Sequence, residues 1–347
     1  MNKTKLVFIF SFLIIVAFIL ILSFYFTRAK NKKLNYFYQL GEKVSRQVNE
    51  EPQTAAIEIK FNKDDSKIIT LLNNGNIELW DLNKKTKELI TKTKQVFSYC
   101  SSNDLLVTRE NNEVYLTDIV SSHKKLLTNG EYELASIDKN CETLALSSGT
   151  NELEIWDLKS KILKSRIKTA LPVRNGLAVS SDGQKVAAAE GIYHEDRRRH
   201  ETIIEIWDLA SANQQSILKY DKRQSGLIAG VWNIFFTSDN KNIVFDTQSS
   251  AESGIILIDI EGNTIFEKSG FSSYWMRSAD SHVNKNYLAT GDEEKNIAIW
   301  DTNSKGIGFY SKVNDVVESI SFSNDGSLIA AGLADSTIQV FSTDKEK

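Results

Sequence analysis

IELWDL at Ile77–Leu82 decides the fold, because variants of it return through the rest of the chain. They are VYLTDI (Val114–Ile119), LEIWDL (Leu153–Leu158), IEIWDL (Ile204–Leu209), ILIDI (Ile256–Ile260), IAIWDT (Ile297–Thr302) and IQVFST (Ile338–Thr343). Each is a short strand that ends in an acidic corner. The corner residues are Asp81, Asp118, Asp157, Asp208, Asp259 and Asp301, with Ser342 in the seventh place. Subtracting their numbers gives spacings of 37, 39, 51, 51, 42 and 41 residues.

A second element precedes every copy: a strand, a polar turn and another strand. It reads FNKDDSKIITLL from Phe61, SYCSSNDLLVT from Ser98, SIDKNCETLALS from Ser136 and VSSDGQKVAAA from Val179. It continues as FTSDNKNIVF from Phe236, SHVNKNYLATG from Ser281 and FSNDGSLIAAG from Phe322. The Asp, Asn, Gly and Ser clusters are turn formers. Runs such as IELW and IEIW are apolar on both alternating faces except for one Glu, as in a strand buried on both sides. One such unit cannot cover both its faces, so it needs a neighbour on each side. Seven units of this kind close radially into a ring with only short edges. The corner Asp can accept backbone N–H bonds from the turn that follows it, which explains an acid beside a large aromatic.

These residues resemble the WD-repeat family from about Lys43 to Thr343. The fold expected is therefore all-β: a seven-bladed β-propeller of four-stranded blades. The dipeptide that names the family stands at Trp80-Asp81, Trp156-Asp157, Trp207-Asp208 and Trp300-Asp301. Repeats two, five and seven are degenerate, and the family's glycine–histidine pair is absent. The acid expected in the turn before the third strand matches clearly at Asp335 alone, so packing is expected to replace much of the family's polar network. Only Asp344 to Lys347 follow the last repeat, and the resemblance implies that an N-terminal strand completes the last blade. KVSRQV (Lys43–Val48) reads as that strand.

The 347 residues, 41% hydrophobic, suffice for a large repeat fold. A net charge of −3 gives no reason to expect nucleic acid. Leu6–Phe26 is an uncharged run long enough, at roughly 31 Å as a helix, to cross a bilayer. It is longer than the apolar part of a signal peptide and lacks small residues at its end. One transmembrane helix over 6–26 is expected, then a tether over 27–42 whose Tyr36, Phe37, Tyr38 and Leu40 could lie as a helix at the lipid interface. Lys3 and Lys5 precede the run, and Arg28, Lys30, Lys32 and Lys33 follow it. By charge the propeller leans to the cytosol, although a short basic tail also precedes many export anchors. The basic flank can rest on anionic lipid. Cys100 and Cys141 are too few for a disulfide framework and occupy different places in successive repeats, so two separate thiols are expected.

Function is expected on unusual loops. GIYHEDRRRHET (Gly191–Thr202) swells blade four and carries Tyr193, His194, Arg197, Arg198, Arg199 and His200. The second long spacing comes from DKRQSGLIAG, which starts at Asp221, and DTQSSAESG, which starts at Asp246, and blade six adds Tyr274, Trp275 and Arg277. By resemblance these insertions share one face. Arg and aromatic residues favour a protein partner, and the triple Arg an acidic or phosphate-bearing one. The alternative reading is a solvated hairpin tip with Trp275 packed between blades. His194 and His200 with Glu195, Asp196 and Glu201 lack a recognised metal spacing, and no nucleophile elbow or phosphate loop occurs. A monomeric interaction scaffold without cofactor is expected, with a propeller hydrolase or an exported envelope-assembly propeller as alternatives.

Overall fold

The alternating strands and turns order themselves into seven sheets. The structure, a computed structural model, describes residues 32–44, 55–93, 95–194, 199–211, 213–220, 231, 233–248, 253–272 and 276–344. Residues 34–347 make one compact unit. The preceding unit contributes a two-residue strand, Lys32–Lys33, to the described residues.

Counting from the centre outward, blade one comprises Ala56–Phe61, Lys67–Leu72, Asn76–Asp81 and Thr86–Lys92. Blade two comprises Gln95–Cys100, Leu105–Glu110, Glu113–Asp118 and Lys124–Asn129. Blade three has Leu134–Ile137, Thr143–Ser147, Glu152–Asp157 and Ile162–Lys168; blade four has Gly176–Val179, Lys185–His194, Arg199–Asp208 and Asn213–Tyr220. Blade five has Ile234–Phe236, Asn242–Gln248, Ser253–Asp259 and Thr264–Ser272. Blade six contains Met276–His282, Tyr287–Asp292, Asn296–Asp301 and Gly306–Lys312. Blade seven takes Val317–Phe322, Leu328–Leu333 and Ile338–Ser342, and its fourth strand is Asn35–Leu40. All the pairings within blades are antiparallel, so connections alternate between two ends. One face carries the corner residues and the first-to-second turns. The other carries the second-to-third hairpins.

Burial explains the ring. The apolar side chains gather into seven clusters, one at each seam between adjacent blades. Ile69, Leu71 and Ile77 meet Leu106 and Ile119 across seam one–two. Val107 and Leu116 meet Leu144 and Leu158 across seam two–three. Leu153 and Ile167 meet Val186 and Trp207 next, then Ile204 and Ile206 meet Phe236 and Phe245. Leu257 and Phe266 meet Leu288 and Trp300, and Ile299 and Phe309 meet Ile320 and Phe341. The last cluster joins Leu40 and Val340 of blade seven to Ile59, Phe61 and Trp80 of blade one. That cluster closes the circle. Each fully buried side chain of this kind contributes roughly 1.5–3 kcal/mol.

The closing strand corrects the expectation. It is Asn35–Leu40, pairing Gln39 with Gln339 and Leu40 with Ile338, not Lys43–Val48. Lys43 and Val44 lie beyond it in irregular backbone, and 45–48 fall outside the described residues. The aromatic stretch expected as an interfacial helix is therefore a strand. A bulge between Tyr36 and Tyr38 lets Tyr38 and Leu40 join the seam while Phe37 faces outward. The backbone also comes close here: a Cβ on Gly332 would lie 2.7 Å from the Ala56 carbonyl oxygen.

The cysteine expectation is overturned as well. Cys100 and Cys141 form a disulfide, with 5.7 Å between their Cα atoms. Cys100 ends the innermost strand of blade two, and Cys141 sits in the first-to-second turn of blade three. Their different places in the repeat are the reason they meet, because the end of one inner strand abuts the next blade's turn. Other seams use the same contact with different chemistry. His282 Nε2 lies 3.0 Å from the Asn324 carbonyl oxygen, Thr143 donates to the Gly183 carbonyl, and Ser181 N–H donates to Asn240. At seam seven–one, the Asp65 carboxylate accepts the backbone N–H groups of Asn324 and Asp325.

No helix among the described residues is long and apolar enough to cross a membrane; Leu6–Phe26 lies outside them.

Candidate functional site

The corner residues act as expected. Asp81 accepts from the N–H groups of Asn83 and Lys84 at 3.0 and 2.9 Å. Asp118 accepts from Ser121, Asp157 from Ser160, Asp208 from Ala210 and Ser211, Asp259 from Glu261 and Asn263, and Asp301 from Asn303 and Ser304. Even Ser342 takes the N–H of Asp344. Backbone N–H groups hold the carboxyls of Asp81, Asp118, Asp157 and Asp208 below the ordinary aspartate value, and the Asn263 side chain does so for Asp259.

The tryptophans beside them seal seams. Trp80 packs on blade seven, Trp156 on blade two, Trp207 on blade three and Trp300 on blade five. Trp300 Nε1 donates to Thr290 at 3.1 Å, and Trp156 Nε1 to Glu154 at 3.0 Å. The single Glu of each apolar run is satisfied too. Glu78 pairs with Lys87 at 2.7 Å, and Glu205 accepts the Ala170 N–H from the previous blade. Burial works to raise Glu154, but bonds from Tyr132, Arg166 and Trp156 hold it low. These residues are structural.

The polar network is richer than the sequence reading allowed. Asp335 accepts from Thr337, as the motif implies. Asp292 does the same for Asn296 in blade six, and Asp246 for Asn233 in blade five. Repeat comparison missed Asp246 because its partner lies upstream, just before the inner strand.

Two places, the ring axis and one irregular hairpin, stand out from the repeat pattern. The first is the axial channel, a cavity of about 660 Å³ lined by the inner strands of all seven blades. At the hairpin face its rim holds Arg277, which pairs with Glu293 at 2.5 Å and reaches Glu318 at 3.9 Å. Glu58 lies in the wall, its carboxyl pushed up by burial against the pull of Lys60. Asp280, also in the lining, accepts the Phe322 and Ser281 N–H groups and so ties blades six and seven. Among the described residues, no group of three or more His, Cys, Asp or Glu could hold a metal ion.

The second place is the swollen hairpin of blade four. It is not a loop over Gly191–Thr202 but an extension of two strands, each ten residues long. Tyr193 faces His200 in the register, and His194 faces Arg199. Arg197 and Arg198 lie outside the described residues, as do Tyr274 and Trp275. Of the residues singled out for a partner, Arg277 alone is placed with its side chain, at the channel rim.

The family model for WD domain, G-beta repeat matches residues 309–342. The match runs from the outer strand of blade six through the third strand of blade seven, the blade that keeps both the Ser-Asn-Asp-Gly turn and Asp335. The molecule is a seven-bladed β-propeller, and within it residues 309–342 are similar to the WD-repeat family. No curated protein sequence matches the chain. A propeller with this hardware is consistent with a protein-interaction scaffold, since WD propellers generally bind other proteins.

Proposed function

We propose that this propeller is a membrane-anchored, monomeric scaffold for protein–protein interaction, binding rather than catalysing. The observation that carries the reading is the extended hairpin of blade four. It is an irregular feature on an otherwise repetitive, rigid ring, and such features are where scaffolds hold partners. Its Arg197–Arg199 run suits an acidic or phosphate-bearing partner, and no nucleic acid is invoked. The channel acids favour structure over chemistry, because Asp280 and Glu318 are engaged by neighbouring blades. A photo-crosslinker replacing Tyr193 in the intact membrane should capture a discrete partner set, diminished when Arg197–Arg199 are changed to Ser. Capture of no protein would defeat the reading.

Leu6–Phe26 is the anchor in this proposal, and one observation favours a particular orientation. Four basic residues follow the run and two precede it, which by charge keeps the propeller in the cytosol. The Cys100–Cys141 disulfide argues the other way, since such bridges persist in oxidising compartments. A buried cross-link between blades is the more specific observation, so the exported side is the orientation we adopt. Intact cells treated with a membrane-impermeant thiol reagent after mild reduction should show labelled Cys100 or Cys141. Labelling only after lysis would place the propeller in the cytosol.

A further inference from the structure

A groove of about 480 Å³ opens on the corner face between blades two and three, within the range of about 300–1,000 Å³ common to ligand clefts. Leu105 and Leu116 of blade two and Leu158 of blade three line it, together with the turn that carries Cys141. Three lysines converge on it from two blades. Lys125 comes from the outer strand of blade two, and Lys159 and Lys161 from the last turn of blade three. That turn is held by the Asp157 carboxylate on the Ser160 N–H, and Lys161 adopts a left-handed φ of 59° within it. A repeat corner thus aims the cations.

Among the described residues none of the three lysines forms an ion pair. Two acids, Asp118 and Glu142, share the lining; among the described residues neither forms an ion pair with the three lysines, and Asp118 accepts the Ser121 N–H. The Lys161 amine is held below the ordinary lysine value, first by its contact with the Lys125 amine, then by desolvation and by repulsion from that charge. Two ammonium groups are donors only and cannot satisfy each other. An oxygen anion between them accepts from both and removes the repulsion.

We propose that this groove binds the carboxylate of an acidic peptide segment of a partner protein, gripped between Lys125 and Lys161 with Lys159 at its flank. The leucines give the stem of an acidic side chain an apolar wall, and cations spread over two blades suit an extended segment better than a small ion. The proposal rests on the scaffold reading and places a second contact on the face opposite the blade-four hairpin.

The test uses full-length protein in detergent and a fluorescein-labelled hexaglutamate peptide, read by anisotropy. Hexaglutamate should bind and hexaglutamine should not. Lys125→Glu with Lys161→Glu should weaken binding at least tenfold, while Lys63→Glu with Lys92→Glu, at exposed positions of blade one, leaves it unchanged. The milder Lys125→Gln and Lys161→Gln pair, with an unaltered melting curve, should weaken it in the same direction. Bound peptide should also slow acetylation of Lys161 in the wild-type protein. Equal binding by the groove and blade-one variants would overturn the proposal, as would full displacement by an equal concentration of inorganic phosphate. Failure of the groove alone leaves partners cross-linked at Tyr193 intact, whereas failure of the scaffold reading removes those as well.

Discussion

Asp246 shows what single polar residues do in this ring. It is 1% exposed and takes two bonds from Asn233, at 2.9 Å from the backbone and 2.8 Å from the side chain. Asp246→Ala takes the charged acceptor away from those part-buried donors, and should cost about 1–3 kcal/mol in chemical unfolding. The corner aspartates govern acid stability. The folded values of Asp81, Asp118, Asp157, Asp208 and Asp259 are depressed, so their contribution is complete above the unfolded aspartate value of about 3.9 and is lost as pH falls through the folded ones. Asp138 and Asp292, pushed up by burial, run the other way and favour the fold as pH falls toward 4. With five depressed corners against these two and the raised Glu58, the melting temperature should drop below about pH 4. Asp208→Asn should flatten that drop; an unchanged pH profile would show that the corners do not carry it. The corner bonds were legible because an acid ending six of seven phased copies, four times after Trp, needs a local donor. The disulfide was not, because Cys100 and Cys141 belong to different positions of neighbouring repeats and meet only through seam geometry.

At the scale of strands, closure depends on NYFYQL. Leu40 is 2% exposed in the cluster that joins blades seven and one. Leu40→Ala should cost about 2–5 kcal/mol, whereas the half-exposed Val44 should tolerate Ser with little change. Equal losses at both would return the closing role to the Lys43–Val48 segment. The sequence misled here for a physical reason. KVSRQV alternates apolar and polar residues as a half-buried strand does, while a bulge breaks the alternation of the true strand and sets two aromatics outward. Blade four is the converse case. Its Arg and His content reads as a loop, yet backbone pairing continues to His194 and Arg199, because the ladder is made by backbone N–H and C=O groups that every residue but proline supplies.

The whole molecule is a circle of seam cores, and sequence periodicity revealed it well before any family pattern could. One blade's worth of residues, 309–342, matches the WD model, since the other blades replace the family's ties with local solutions. Asn62, Asp138, Ser180, Thr237 and Ser323 each accept a backbone N–H in their own turn, so four residue types do one job. The disulfide at seam two–three closes a segment with a sequence separation of 41 residues. Replacing both cysteines with Ser should lower stability by about 4 kcal/mol on the chain-entropy estimate, measured against the oxidised protein. Ring closure itself admits the most direct test. Gln39 and Gln339 are registered partners whose side chains touch at 3.4 Å. The double variant Gln39→Cys with Gln339→Cys should cross-link spontaneously under mild oxidation, and mass spectrometry should find positions 39 and 339 joined in nearly all the folded protein. A chain that instead traps cysteine at position 44 or 48 against position 339, and leaves position 39 free, would contradict the ring described.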